Sequence, residues 1–145
     1  MNLTKNSNLY GKDEIINILK SVQSIELFKK QNINAIILFG SIVTDNFQEY
    51  SDVDIAILSK EKNNLNKIMD LEETLRNMLN REIDIIDLNN EDLDLRFKVS
   101  VYDTGMLIYN DELDLYTKDY NKTDIIYINN EEFRFFRERD VIYDE

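Results

Sequence analysis

The sequence predicts an α/β (α+β) fold, in which helices flank a mixed β-sheet, and three observations support this prediction. Segments whose apolar residues follow helical spacing alternate with short, continuous apolar runs that are typical of buried strands. Apolar residues make up 43% of the chain and charged residues 32%, which allows a buried core within a polar shell. The length of 145 residues fits one domain, so we expect residues 1–145 to form a single domain with a core at about 12–110 and a helical segment at about 111–145.

The apolar pattern predicts the elements in the order α-β-β-α-β-α-β-α. The first helical segment repeats apolar residues at intervals of three and four, so one of its faces is buried. The second and third strands are joined by a helical segment, as a parallel crossover requires. In chain order, we predict a helix at 12–30, strands at 35–39 and 52–58, a helix at 65–80, a strand at 82–88, a helix at 91–102, a strand at 106–109 and mostly helical structure beyond.

Composition excludes several kinds of chemistry. The chain has no Cys, His or Trp, which rules out thiol nucleophiles, Ser-His-Asp triads and zinc held by His or Cys. A bound metal would be held by carboxylates, which favours hard ions such as Mg²⁺. The absence of cysteine suits a reducing cytosol, and no apolar run approaches the ~20 residues of a membrane span, so we expect a cytoplasmic protein without membrane contact.

The net charge indicates what the protein binds. The formal net charge is −12, and such a chain repels the nucleic-acid backbone. We therefore expect no direct nucleic-acid binding. A basic protein partner, or a polyanionic substrate carried by metal ions, agrees better with this charge.

The pair Gly40-Ser41 follows the first predicted strand and precedes a short helix predicted at 42–47. A glycine lets a phosphate approach the backbone, the serine hydroxyl adds a donor, and free N–H groups favour an anion. Taken alone, the pair is a weak signal for phosphate binding, and a plain turn is the simpler interpretation.

The second and third predicted strands each carry two aspartates. Asp52 and Asp54 are two apart on a predicted strand, so both side chains project from one face, where a divalent cation would relieve their repulsion. A cap at a wet strand end is the alternative. Asp84 occupies the equivalent position of the parallel neighbour, so we predict that it is the third carboxylate. Asp87 lies further along and on the other face, where we expect it to contact solvent or to cap the next helix.

These residues resemble the signature of the DNA polymerase β-like nucleotidyltransferases: Gly40-Ser41, ten residues, then Asp52-x-Asp54 and a later strand aspartate, Asp84. The chain looks like the smallest members, the minimal nucleotidyltransferases (MNT), over about residues 12–110. The resemblance implies the polymerase β-like fold in a single nucleotidyltransferase domain. It also implies an antitoxin that transfers AMP from ATP to a tyrosine of a cognate HEPN-type RNase toxin.

The same resemblance assigns roles to individual residues. Asp52 and Asp54 would ligate two Mg²⁺ ions, and Asp84 would complete the site of the ion that activates the acceptor hydroxyl. Gly40 and Ser41 would hold the β- and γ-phosphates of ATP.

One departure from the family pattern keeps other functions open. Members often continue the Gly-Ser motif with Arg-Gly, where this chain has Thr44-Asp45. The alternatives are a catalytically weak or inactive antitoxin that neutralises its toxin by stoichiometric binding, and a small-molecule nucleotidyltransferase of the aminoglycoside type. The sequence does not place Lys60, Lys62 or Arg81 relative to a triphosphate. The aromatic segment 131–137 fits partner docking and ordinary packing equally well.

Overall fold

A computed structural model describes residues 9–143 of the chain, with side chains described for residues 9–131. Nine helices and strands and one 3₁₀ turn, at Gly40–Val43, account for most of these residues. The helices are α1 (Lys12–Leu19), α2 (Val22–Lys30), α3 (Leu65–Leu79), α4 (Leu95–Thr104) and α5 (Leu115–Tyr143), and the strands are β1 (Ala35–Phe39), β2 (Val53–Leu58), β3 (Ile83–Asp87) and β4 (Met106–Asn110).

The four strands form one sheet in the order β3-β2-β1-β4. Strand β1 pairs antiparallel with both β2 and β4, whereas β2 and β3 are parallel neighbours joined through α3. The sheet is therefore mixed, which confirms the predicted fold class. Because β1 and β2 are antiparallel, the end of β1 and the beginning of β2 lie at the same edge of the sheet. We call this edge, where β3 also begins, the acidic edge, after Asp52, Asp54 and Asp84.

Both faces of the sheet are covered by helices. Helices α1, α2 and α3 pack on one face, where they meet the side chains of Ile36 and Leu38. Helices α4 and α5 pack on the other face, over Ala35 and Ile37. All five residues of β1 are buried, as expected for a central strand.

The single helix predicted at 12–30 is wrong, because the structure has two helices there. Helix α1 ends at Leu19, and Ser21 caps the start of α2 by accepting a hydrogen bond from the Ser24 backbone N–H at 3.3 Å. The Ser21 hydroxyl also donates to the Ile18 carbonyl at 2.6 Å. Serine hydroxyls compete in this way with the helical backbone hydrogen bonds, so the apolar period continues while the helix breaks.

Two other helix starts also differ from the predictions. The short helix predicted at 42–47 is instead the 3₁₀ turn Gly40–Val43, which Thr44 closes by donating its hydroxyl to the Ser41 carbonyl at 2.7 Å. Helix α4 begins at Leu95 rather than near residue 91, because the Asp94 side chain caps it. In the part of the chain that the structure describes, every helix is too short or too polar to span a lipid bilayer. The side chains of residues 132–137, in the predicted aromatic segment, lie outside the described residues.

Candidate active site

Gly40 follows β1 directly and has a backbone conformation that suits glycine. Its φ is +78°, in the region that residues other than glycine rarely adopt. A Cβ atom at this position would overlap the Oδ2 atom of Asp54 and would lie 3.1 Å from its Cγ. The missing side chain therefore leaves room for the Asp54 carboxylate, which lies against the backbone of the Gly-Ser turn.

Asp54 and Asp84 are directly opposite each other on β2 and β3. They are Cα partners in the parallel ladder, so their side chains project from the same face. Asp52 lies two residues before Asp54, just ahead of β2. Ala56 and Ile86, two residues further along the same strands, project from this face too. There they pack against α4 and α5, so the carboxylates lie on the face that these helices cover. The structure thus brings the three predicted carboxylates to one edge of the sheet.

The electrostatics of Asp54 reflect this crowding. The pKa of the Asp54 carboxyl is raised. Burial is the largest cause, followed by the negative charge of Asp84 and then by that of Asp52. In the described part of the chain, no hydrogen-bond donor and no cation contacts the carboxylates of these three residues. Within the described residues, the repulsion among these carboxylates is therefore not compensated by a donor or a cation.

The donor set fits Mg²⁺, although the protein side chains alone do not enclose an ion. Within residues 9–131, no group of three or more acidic side chains is placed so that it could hold a metal by itself. Mg²⁺ is usually bound through one or two carboxylates together with water and substrate phosphates. The pair Asp54 and Asp84, with Asp52 beside them, has the chemistry for that arrangement because it offers hard oxygen ligands and excess negative charge.

Ser41 lies in the 3₁₀ turn beside this cluster and is half-buried. Its carbonyl accepts the backbone N–H of Thr44 at 3.0 Å as well as the Thr44 hydroxyl. No described group forms a hydrogen bond with the Ser41 hydroxyl, which leaves it available as a donor. Where many family members have Arg-Gly, Thr44 therefore stabilises the turn, and the exposed Asp45 adds negative charge rather than a cation.

The chain matches a known protein family over most of its length. Residues 13–114, more than half of the chain, match the model of the family described as Polymerase beta, Nucleotidyltransferase. The chain belongs to this nucleotidyltransferase family. No curated protein sequence matches it.

Several solved structures share the fold of this nucleotidyltransferase. A toxin–antitoxin structure with AMP-PNP is 23% identical in sequence and has a TM-score of 0.64, and the matched region covers 81% of this chain and 94% of the other chain. A complex of tri-AMPylated HEPN toxin with MNT antitoxin from Shewanella oneidensis has 23% identity and a TM-score of 0.60, and covers 90% and 98%. The toxin–antitoxin complex MntA-HepT has 23% identity and a TM-score of 0.58, and covers 86% and 97%. At these identities the likeness establishes the fold.

Lys60 and Lys62 lie at the other edge of the sheet, beyond the end of β2. They line a cavity of about 690 Å³ together with Lys29, Lys67 and residues next to β4. Since β2 runs from Val53 to Leu58, its whole length separates them from the acidic edge. These lysines therefore lie at the opposite end of β2 from Asp54.

The expectation that Asp87 contacts solvent or caps the next helix is wrong. Its carboxylate is buried and accepts the backbone N–H of Asn63 at 2.7 Å and that of Asn89 at 3.0 Å. Asp87 thereby joins the loop that precedes α3 to the loop that follows β3. Its role in the nucleotidyltransferase is structural, and it is separate from the acidic edge.

Sequence reasoning also left Arg81 unplaced. The structure buries this arginine between α3 and β3, where its guanidinium donates to backbone carbonyls instead of facing a substrate. Nothing in the local sequence indicates these contacts, because the carbonyls belong to residues at least 30 positions away.

Proposed function

We propose that this nucleotidyltransferase is an antitoxin that transfers AMP from ATP to a tyrosine of a cognate HEPN-type RNase toxin in the cytoplasm. The observation that carries the proposal is the register of Asp54 beside Asp84, with Gly40 packed against the Asp54 carboxylate. The solved structures with the same fold include an antitoxin complex with AMP-PNP and a tri-AMPylated HEPN toxin in complex with its MNT antitoxin. The net charge of −12 would favour encounter with a basic, RNA-binding partner.

The residues divide into two groups in this proposal. Asp52 and Asp54 would hold two Mg²⁺ ions, and Asp84 would complete the site of one of them. The ions would neutralise the triphosphate and lower the pKa of the acceptor hydroxyl. Gly40 and Ser41 would contact the β- and γ-phosphates through the turn backbone and the free Ser41 hydroxyl.

The proposed transfer of AMP needs no histidine. The tyrosine oxygen attacks the α-phosphorus of ATP, so an O–P bond forms while the bond between the α-phosphorus and the bridging oxygen breaks. Pyrophosphate leaves with the electron pair, and the phenol proton passes to a carboxylate of the acidic edge. A phenol has a pKa near 10, so the negative environment must be offset before the phenolate forms. Bound cations would supply that offset.

Transfer of label from ATP tests the proposal. The protein is incubated with α-labelled ATP, Mg²⁺ and a purified HEPN-type toxin, and label is expected on a tyrosine of that toxin. Asp52→Asn and Asp84→Asn should abolish the label. Asp45→Asn, which removes the same charge from an exposed loop position, should not. A folded parent protein that transfers no label contradicts the proposed activity.

Neutralisation of the toxin separates the enzyme from a stoichiometric antitoxin. The double variant Asp52→Ala with Asp54→Ala should bind the toxin but leave its RNase activity intact, because the modification is lost. If this variant neutralises the toxin as well as the parent does, then binding alone explains the antitoxin function. Label on an isolated amino sugar would instead indicate a small-molecule nucleotidyltransferase.

We also propose that residues 1–145 form one nucleotidyltransferase domain, with the core at about 12–110 and the helical segment at about 111–145 packed on it. Tyr102 on α4 stacks on Tyr120 of α5 with ring centroids 4.9 Å apart. Lys98 and Asp119 form an ion pair of 3.2 Å between the same helices. A single cooperative transition, seen by both near-UV and far-UV circular dichroism, would support one domain. Separate transitions would contradict it.

A further inference from the structure

Arg81 is held by the most extensive side-chain hydrogen bonding near the acidic edge. Only 7% of this residue is exposed. Its Nη1 atom donates to the carbonyls of Gln48, Glu49 and Ser51 at 2.8, 3.0 and 2.9 Å. Its Nε and Nη2 atoms donate to the Tyr10 carbonyl at 3.3 and 3.1 Å.

The guanidinium also lies over an aromatic ring. Its Cζ atom is 4.5 Å from the centroid of the Phe47 ring. Burial lowers the pKa of Arg81, and the charge of Glu49 opposes that shift. A planar group with several fixed donors and a flat face can satisfy all of these neighbours together, whereas an ammonium group cannot.

The turn that Arg81 binds leads directly into the acidic edge. In this turn, which comprises residues 48–51, the Ser51 N–H donates to the Gln48 carbonyl at 3.1 Å, and the Gln48 N–H donates to the Ser51 hydroxyl at 2.9 Å. Asp52 comes next, before β2 begins at Val53, and so has no place in the sheet ladder. The position of Asp52 therefore depends on the turn.

The other end of Arg81 is fixed to the strand that carries Asp84. Its backbone lies two residues before β3, and the Glu82 carbonyl that follows it accepts the Val53 N–H at 2.9 Å. The side chain of Arg81 thus holds the segment before Asp52, while its main chain continues into Asp84. One residue connects the two sides of the carboxylate cluster.

We propose that Arg81 is a positioning residue that fixes Asp52 relative to Asp54 and Asp84 and so sets the affinity of the acidic edge for divalent cations. This inference rests on the proposed function, in which the three carboxylates bind metal. Arg81 does not contact the substrate in this account. It acts through the turn at residues 48–51, by removing the conformational freedom that would otherwise let Asp52 move away from the cluster.

Manganese binding to the complete chain, followed by the paramagnetic signal of free Mn²⁺, tests the proposal. Arg81→Lys keeps the charge but loses the planar set of donors, so Mn²⁺ should bind about tenfold more weakly, the usual effect of removing a group that supports metal ligands. Arg76→Lys is the matched control, because Arg76 lies at the same edge and pairs with Glu82 at 3.2 Å, and none of the described hydrogen bonds joins its side chain to the turn. That control should bind Mn²⁺ as the parent does.

A second control separates positioning from a loss of stability. Phe28→Leu weakens the packing against Tyr109, whose ring centroid is 5.5 Å away near the opposite edge. It should lower the melting temperature without changing Mn²⁺ affinity at a temperature where the protein is folded. Equal Mn²⁺ affinity in Arg81→Lys and the parent overturns the proposal for Arg81.

Hydrogen exchange distinguishes failure of this proposal from failure of the proposed function. In Arg81→Lys the Ser51 amide should exchange at least tenfold faster, while the Ile55 amide within β2 is unchanged. A parent protein that binds no Mn²⁺ overturns the proposed metal-dependent function, and with it the effect of Arg81 on metal affinity. The exchange rate then still decides whether Arg81 holds the turn, since an unchanged Ser51 rate contradicts that part as well.

Discussion

The backbone of Gly40 and the carboxylate of Asp54 are packed so closely that no side chain fits between them. The contact joins the two parts of the family signature, one at the end of β1 and the other on β2. Phe39 and Asp54 are Cα partners in the antiparallel ladder, so the residue after Phe39 turns across the Asp54 side chain. The segment between the two motifs therefore connects the end of β1 to the beginning of β2, and these two strand ends lie next to each other.

Gly40→Ala should destabilise the protein and disturb the acidic edge. A side chain at φ +78° costs about 1–2 kcal/mol, and the added Cβ must also displace the Asp54 carboxylate. Chemical denaturation measures the loss in free energy of unfolding. Gly11→Ala is the control, because the nearest atom to a Cβ there is 4.0 Å away and its φ is −80°. A Gly40→Ala protein as stable as the parent would show that the close packing is absent.

A double variant isolates the contact between the two residues. If the added methyl group destabilises mainly through the carboxylate, the combination of Gly40→Ala with Asp54→Ala should cost less than the sum of the two single variants. Strict additivity would mean that only backbone strain is at work.

Asp54→Asn should stabilise the metal-free protein at neutral pH. The folded-state pKa of Asp54 is raised above the ordinary value of 3.8, so the carboxyl contributes stability at low pH that is lost as the pH rises through the raised pKa. Removing one of two like charges that face each other across strands should add about 0.2–1 kcal/mol at pH 7. The gain should disappear as the pH falls toward 3.8. Urea denaturation between pH 3.5 and pH 8 measures both effects.

Mg²⁺ should reverse the order of stability. A cation that binds only the folded parent raises its free energy of unfolding, whereas Asp54→Asn loses part of the ligand set. The parent should therefore gain in melting temperature with Mg²⁺, and the variant should gain less. An Asp54→Asn protein that is less stable than the parent without metal at pH 7 would show that the carboxylate has a favourable partner.

Asp84→Asn and Asp87→Asn should affect different properties although both residues lie on β3. Asp84 is exposed and accepts no hydrogen bond from the described residues, so its amide variant should remain stable but lose transfer activity. Asp87 is buried and binds two backbone N–H groups, so its variant should lose about 1–3 kcal/mol of stability and retain activity below its melting point. Thermal melts and label transfer on the same samples make the comparison. A stable, inactive Asp87→Asn would contradict the structural role.

Tyr102→Phe should reduce the sensitivity of the protein to alkaline pH. Burial raises the pKa of Tyr102 most, and the hydrogen bond that its hydroxyl donates to Asp119 raises it further. Its contribution to stability is present below the unfolded-state pKa of 10.0 and decreases as the pH rises above that value. The variant should lose about 1 kcal/mol at pH 7 with the hydrogen bond, and its stability should then fall less steeply above pH 10.

Some alkaline sensitivity should remain in Tyr102→Phe. The pKa values of Tyr109, Tyr116 and Tyr120 are also raised, that of Tyr120 to about 12. Denaturation midpoints between pH 8 and pH 11 measure the slope for each protein. Parallel curves for the parent and the variant would show that Tyr102 ionises equally in the folded and unfolded chains.

The amino-acid pattern alone was enough to predict the four strands, most of the helices and the place of Asp54 on the second strand, whereas Asp52 was predicted on that strand and lies just ahead of it. Apolar runs and helical spacing are local signals, and alternation along a strand fixes which side chains share a face. The helix between β2 and β3 also sufficed to predict their parallel register, which places Asp84 beside Asp54. The resemblance carried by Gly40-Ser41 and the three aspartates then led to the family.

The burial of Asp87 and the contacts of Arg81 arise only in the folded chain, whereas the break at Ser21 comes from local hydrogen bonds that the apolar pattern does not show. Asp87 and Arg81 bind backbone groups of distant residues, and because nearly every residue carries such groups, no residue pattern marks these partners. The Ser21 cap competes with a helical pattern that continues across it, while Asp87 and Arg81 reach residues 24 and at least 30 positions away. The close packing of Gly40 on Asp54 has the same origin, because it arises when two strand ends meet at one edge of the folded sheet.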